Sequence, residues 1–179
     1  MAALLNKEEF VNKKFAETVA SYEKLAQLTL TAASKPTTLS GLNTKDIWYV
    51  PSGDSYMARF IKDAGGTYPW DSTKNVGSVP LSFESVYPIA LKADYWINVG
   101  FDAKDTRASI LGMDKRYNDF KSFKNGKVFG YTARVNARGS NDYFESGNMK
   151  PDAILADLVH IFHPNLLPDH QLVYYRQLK

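Results

Sequence analysis

Residues 48–56 read Trp48-Tyr49-Val50-Pro51-Ser52-Gly53-Asp54-Ser55-Tyr56. The run passes from the end of a strand, through a glycine turn, into a helix. Its polar groups are therefore expected at the carboxyl edge of a sheet, where open α/β sheets bind ligands. Asp54 or Ser55 can cap the helix that follows, and the free amides of its first turn offer a modest anion site. The same chemistry also describes a capped turn with Trp48 and Tyr49 as packing. Pro-Ser-Gly-Asp-Ser lacks the lysine and second glycine of a phosphate-binding loop, which excludes a nucleotide triphosphate site of that kind.

Outward from this turn the pattern alternates. Thr37–Leu42, Ile47–Val50, Asp94–Val99 and Lys127–Thr132 read as strands, with a final strand at Leu172–Tyr175. Ser55–Ala64, Ser82–Lys92, Ala108–Phe120 and Pro151–Phe162 read as helices, with Pro88 shortening or kinking the second. Alternation of this kind predicts an α/β sandwich, three layers around a central and mostly parallel sheet. Ahead of it, Lys7–Ala33 reads as one long helix with Val11, Phe15, Val19, Tyr22 and Ala26 on one stripe, ending before Pro36.

The 179 residues suit one compact domain, and 44% hydrophobic with 23% charged residues excludes disorder. Lys plus Arg exceeds Asp plus Glu only by 22 to 19 and forms no basic run, so no nucleic-acid partner is expected. The lack of cysteine removes disulfides, thiolate nucleophiles and Cys-based metal centres together. No stretch approaches the roughly 18 apolar residues of a membrane span, so this chain is not expected to insert in a bilayer. Met1–Phe10 carries an acidic pair and no long apolar core, so no export signal is expected there.

Two further regions carry chemistry. Tyr131–Glu145 follows a strand and holds Arg134, Asn136, Arg138, Asn141, Tyr143 and Glu145, a set suited to an oxygen-rich ligand, with Tyr143 and Phe144 as stacking rings. His160, His163 and His170 cluster near the C-terminus. No carboxylate motif accompanies the His160/His163 spacing, and His163 at a helix end can satisfy a terminal carbonyl instead, so no metal is assigned to them. No Gly-x-Ser-x-Gly nucleophile elbow occurs, and the chain is not expected to be an enzyme.

The order of motifs resembles a known family. Trp48-Tyr49-Val50-Pro51 is followed by Gly53-Asp54-Ser55-Tyr56-Met57-Ala58, Asp63-Ala64-Gly65-Gly66, Leu81-Ser82-Phe83-Glu84 and Ala93-Asp94-Tyr95-Trp96-Ile97. Tyr143-Phe144-Glu145-Ser146-Gly147, Pro151-Asp152 and Ile161-Phe162-His163-Pro164 complete the set. From Pro36 to the C-terminus the chain is similar to the C-terminal half of class III periplasmic binding proteins, which deliver ferric siderophores, haem or cobalamin to ABC permeases.

The resemblance implies a long interlobe helix in residues 1–35 and a C-terminal α/β lobe in residues 36–179. It implies a ligand held between this lobe and an N-terminal lobe that the chain lacks, so the isolated chain is expected to bind weakly or undetectably. Glu84 matches the position that docks on the permease. Localisation would be periplasmic, or lipid-anchored outside the cytoplasmic membrane. The expected cleft wall is Trp48, Tyr49, Ser52, Asp54 and Tyr56 with Arg138, Asn141 and Tyr143, binding an iron-siderophore type ligand that brings its own metal. No resident cofactor is expected. The competing reading is a small α/β enzyme with Asp54 as general base and Arg138 as an oxyanion or phosphate clamp.

Overall fold

A computed structural model describes residues 6–74 and 77–179. Met1–Leu5 of the segment read for an export signal lies outside the described residues. Helix α1 spans Glu8–Leu28, with Glu8 and Glu9 in its first turn complementing the helix dipole, and a 3-10 turn follows at Thr29–Thr31. Strand β1 is Thr38–Ser40, β2 Asn43–Thr44 and β3 Ile47–Pro51, and α2 spans Tyr56–Asp63. Next come β4 (Ser78–Ser82), α3 (Phe83–Ala90), β5 (Tyr95–Ile97), α4 (Arg107–Met113), α5 (Lys121–Lys124) and β6 (Phe129–Gly130). Helix α6 (Pro151–Phe162) and β7 (Arg176–Gln177) close the chain.

The parallel part of the fold is built on β1 and β5, extended by a parallel bridge between Trp96 and Val128. Strand side chains alternate between faces, and here the alternation separates two cores. Leu39, Trp96 and Val128 enter one core with Trp48, Phe83, Tyr117 and Phe120. Tyr95, Ile97 and Phe129 enter the other with Ile61, Leu155, Leu158 and Phe162. Burial on both faces is what a parallel sheet covered by helices requires. The expected α/β architecture with helices flanking a parallel sheet is therefore present.

Strand β3 does not belong to that sheet. It pairs antiparallel with β2 and β4, making a three-stranded meander with Trp48 and Val50 turned inward and Ile47 and Tyr49 outward. Strand β4 was not among the expected strands; it carries Pro80, and its place at the sheet edge lets the ladder tolerate the missing N–H. The expected helix over Ala108–Phe120 is broken into α4 and a 3-10 segment at Lys115–Asp119, where Asp114 accepts from the Arg116 N–H and restarts the chain.

The expected strand at Leu172–Tyr175 is also absent, for a specific reason. The buried Asp157 carboxylate of α6 takes the amides of Val173, Tyr174 and Tyr175, at distances down to 2.7 Å. Pairing with β6 begins only at Arg176.

Helix α1 lies along α6, and Tyr22 donates to Asp63 Oδ2 at 2.8 Å, tying α1 to α2. Only the carboxyl half of its apolar stripe is covered. Tyr22, Leu25 and Ala26 pack against the core, whereas Phe15 is 70% exposed and Phe10 and Val11 are exposed beside it.

Candidate functional site

The carboxyl end of β5 is the best-defined edge in the molecule. Asn98 leaves that strand with φ +58°, a left-handed conformation that asparagine tolerates better than most residues. Its side chain is fixed on both sides: the Tyr175 hydroxyl donates to Asn98 Oδ1 at 2.7 Å, and Asn98 Nδ2 donates to Ser40 Oγ at 2.9 Å. The amide thus joins the end of β1, the end of β5 and the C-terminal segment. The Tyr143 and Tyr175 rings meet edge-to-face in turn, with centroids 5.9 Å apart. Burial pushes the Tyr143 phenol up to about 12 and raises Tyr131 and Tyr175 as well, so these rings are neutral at physiological pH.

Around Asn98 opens a groove of about 670 Å³, lined chiefly by Tyr56, Met57, Tyr131, Tyr143, Phe144 and Asn148. Tyr131, Tyr143 and Phe144 form one ring cluster with centroids 5.2–5.4 Å apart, two of the three contacts being edge-to-face. Tyr56, on the first turn of α2, is 87% exposed, and Phe144 is 58% exposed. The loop carrying Tyr143 is held by Asp142, which accepts from the Ser146 hydroxyl at 2.8 Å and pairs with Arg134 at 3.0 Å. Hydrogen bonds from Ser146, helped by the charges of Arg134 and Lys150, keep the Asp142 carboxyl below its usual range against the opposing effect of burial. Asn148 Nδ2 donates to the Phe144 carbonyl at 2.7 Å, fixing the far end.

The expected wall is only partly assembled. Tyr56 and Tyr143 line the groove. Trp48 does not: it has no exposed surface, and its indole packs against Phe83, Trp96, Tyr117 and Phe120. The Trp48 N–H donates to the Ser40 carbonyl at 2.9 Å, so both its apolar body and its polar tip are satisfied inside the core. Ser52 is likewise buried, its hydroxyl 3.3 Å from the Thr73 carbonyl. Trp48 is one of the inward residues of β3, which face the core, and Ser52, just past the end of that strand, is turned against the Thr73 segment.

Tyr49 projects from the outer face of that meander. Asp54 is exposed and ion-paired with Lys74 at 2.9 Å, while Ser55 is the residue that caps α2, accepting from the Ala58 N–H. The turn needs glycine at position 53, because a Cβ there would collide with the Asp71 carbonyl. Asp54 lies in a more polar groove of about 600 Å³ with Lys35, Lys62 and Lys74, which adjoins the aromatic groove at Tyr56.

Arg138 sits on the tight turn of residues 136–140, its N–H donating to Asn136 Oδ1. It lines neither groove. Asn141 accepts from the Tyr143 N–H at 3.1 Å, a shaping role in the loop. The pairing of Asp54 with Arg138 required by the enzyme reading is therefore not made. Glu84 is exposed on the first turn of α3, 3.7 Å from Arg116.

The three histidines have separate partners. His160 Nδ1 meets the Leu167 carbonyl, His170 Nε2 meets Asp157, and His163 Nε2 lies 3.3 Å from the Gly65 carbonyl. His163 thus serves a helix-terminal carbonyl, though that of α2 rather than of its own helix.

Sequence reading missed Asn98 and Tyr131. The signal was available, because both directly follow strands of the parallel sheet, where the carboxyl-edge rule applies.

Along the amino half of α1 runs a further groove of about 690 Å³, lined by Phe10, Val11, Phe15 and Met149 among others. It adjoins the aromatic groove, since Asn148 and Pro151 line both. Three of its polar members are mutually bonded, Arg59 and Tyr22 both on Asp63. It is an uncovered packing face.

No protein-family model matches the chain. An uncharacterized lipoprotein of Methanocaldococcus jannaschii is 29% identical over 164 residues, covering 91% of this chain and 37% of that protein. A periplasmic solute-binding protein from Veillonella parvula superposes with a TM-score of 0.71 at 18% identity, over 96% of this chain and 50% of its own. The periplasmic haem-binding protein RhuT from Roseiflexus, in its apo form, gives 0.67 at 19% identity, over 92% of this chain and 60% of its own. Among the described residues no helix is long and apolar enough to cross a membrane. The chain has the fold of periplasmic solute-binding proteins, and it spans about half the length of those structures and little more than a third of the lipoprotein.

Proposed function

We propose that this chain is the C-terminal lobe of the substrate-binding component of an ABC importer, with the groove at Asn98 as one wall of its ligand cleft. The ligand is a metal chelate of the siderophore, haem or cobalamin kind, and the protein binds it without transforming it. The observation that carries this reading is a set of aromatic rings left open at the sheet's carboxyl edge, Tyr56 and Phe144 above all, next to an apolar helix face that none of the described residues covers. A binding cleft normally buries most of a small ligand. This wall encloses one side only, which fits a second lobe covering both the groove and the Phe10–Phe15 face of α1.

In this reading residues 1–35 supply the interlobe helix and residues 36–179 the lobe. The working compartment is outside the cytoplasmic membrane, periplasmic or lipid-anchored, in keeping with the lipoprotein relative. Fluorescence titration of the two-lobed parent protein with ferric siderophores, haem and cobalamin tests it. Saturable quenching by one of them is expected, weakened about two- to tenfold by Tyr56→Ala through loss of one stacking ring. Quenching by none would remove the cleft assignment.

Glu84 is assigned to permease docking, because it matches the docking position in the resemblance and is exposed, engaging Arg116 alone among the described residues, at 3.7 Å. Glu84→Ala should leave ligand affinity unchanged while lowering uptake severalfold. Unchanged uptake would return Glu84 to the part of a first-turn charge complementing the dipole of α3.

A further inference from the structure

The chemistry of the wall narrows the ligand, in an inference that rests on the binding reading above. The groove is lined by rings, aliphatic side chains and two carboxamides, and includes no lysine, arginine, histidine, aspartate or glutamate. Tyr131 and Tyr143, the ionisable rings of the cluster, are held neutral by burial. Arg134 of the loop is engaged by Asp142, and Arg59, which lines the two adjoining grooves, is engaged by Asp63. An anionic chelate pressed against such a wall would lose hydration without gaining a counter-charge, and the electron-rich ring faces add repulsion.

A preference for cations is not built either. The rings of Tyr131, Tyr143 and Phe144 pack on one another as a platform instead of surrounding a central space. Asn98, held through both its oxygen and its nitrogen, offers a donor. A carboxamide nitrogen carries two hydrogens. One Nδ2 hydrogen goes to Ser40, and Tyr175 occupies Oδ1, which fixes the amide orientation and leaves the second N–H for a ligand acceptor.

We propose that this wall selects a ring-bearing ligand uncharged over the surface it presents here, with Asn98 orienting it by donating a hydrogen bond to an acceptor on its rim. A neutral macrocycle fringed with carboxamides has that chemistry. A trianionic tris-catecholate chelate does not.

Two diamagnetic probes separate the cases, cyanocobalamin and a gallium(III) tris-catecholate complex, titrated into the ¹⁵N-labelled chain and followed by amide shifts. Cyanocobalamin is expected to shift the Asn98 side-chain NH₂ and the Tyr56 and Tyr143 amides, with affinity at least about tenfold above that of the gallium complex. Asn98→Asp keeps acceptors for Tyr175 and Ser40 but removes the donor, and should weaken cyanocobalamin about tenfold. Phe144→Arg, at an exposed position, should strengthen the gallium complex about three- to fivefold.

Equal or tighter binding of the gallium complex in the groove would overturn this inference and leave the binding reading standing. A well-dispersed Asn98→Asp spectrum with undiminished cyanocobalamin affinity would overturn the role of Asn98. Shifts by neither probe at the groove residues would overturn the inference, and the titration with all three ligand classes then decides whether the broader reading falls with it.

Discussion

Asp157→Ala is expected to lower the unfolding free energy by about 3–5 kcal/mol, the range for removing one member of a buried, hydrogen-bonded charged cluster. Asp157 is fully buried in the middle of α6 and accepts from the N–H groups of Val173, Tyr174 and Tyr175 and from the His170 ring, all within 3.1 Å. Without the carboxylate those amides lose their partner in a place water does not readily reach, and each unmade bond carries a desolvation cost. The effect should extend to the site, because Tyr175 orients Asn98 and contacts Tyr143. Urea denaturation measures it, and Asp157→Asn should recover part of the loss by retaining one oxygen. A change below about 1 kcal/mol for the alanine variant would show that the C-terminal segment is anchored by other contacts.

The second large effect concerns Trp48. Trp48→Ala should cost about 3–5 kcal/mol, as large-to-small changes of buried aromatic residues do. The indole sits at the centre of a ring cluster with Phe83, Trp96, Tyr117 and Phe120, with centroids 5.8–6.2 Å away, and its N–H is satisfied by Ser40. Because β1 carries Ser40 and β3 carries Trp48, this single bond also joins the parallel sheet to the meander. Trp48→Phe should be intermediate, keeping most of the packing and losing the hydrogen bond. Thermal unfolding followed by circular dichroism reads both. A stable Trp48→Ala variant with impaired ligand binding would mean that the ring reaches the ligand and that its core position is wrong.

The contrast between Trp48 and Tyr56 explains how much of the site could be read in advance. Both belong to the strand-turn-helix at residues 48–56, and both were expected to face a ligand. Alternation along β3 turns Trp48 inward, whereas Tyr56 lies beyond the turn on the solvent side of α2. The choice depended on which sheet β3 joins, and β3 pairs with β4, a partner some thirty residues away that carries a proline. Asn98 and Tyr131 were missed for the opposite reason. Each is a single polar or aromatic residue after a short apolar strand, and only the parallel pairing of those strands brings the two to one edge.

Local pattern by itself settled the long first helix, the strand-helix alternation, the glycine turn at residue 53 and the amphipathic α6, because each depends on spacing, capping or turn chemistry within a few residues. The tertiary structure decided what those elements face. It placed Trp48 in the core, separated Asp54 from Arg138, gave the amides of residues 173–175 to Asp157, and brought Tyr56, Asn98, Tyr131, Tyr143 and Phe144 around one groove. Those outcomes rest on contacts between residues far apart in the chain, and such contacts are fixed by sheet order and buried-group satisfaction, which no short stretch of the sequence contains.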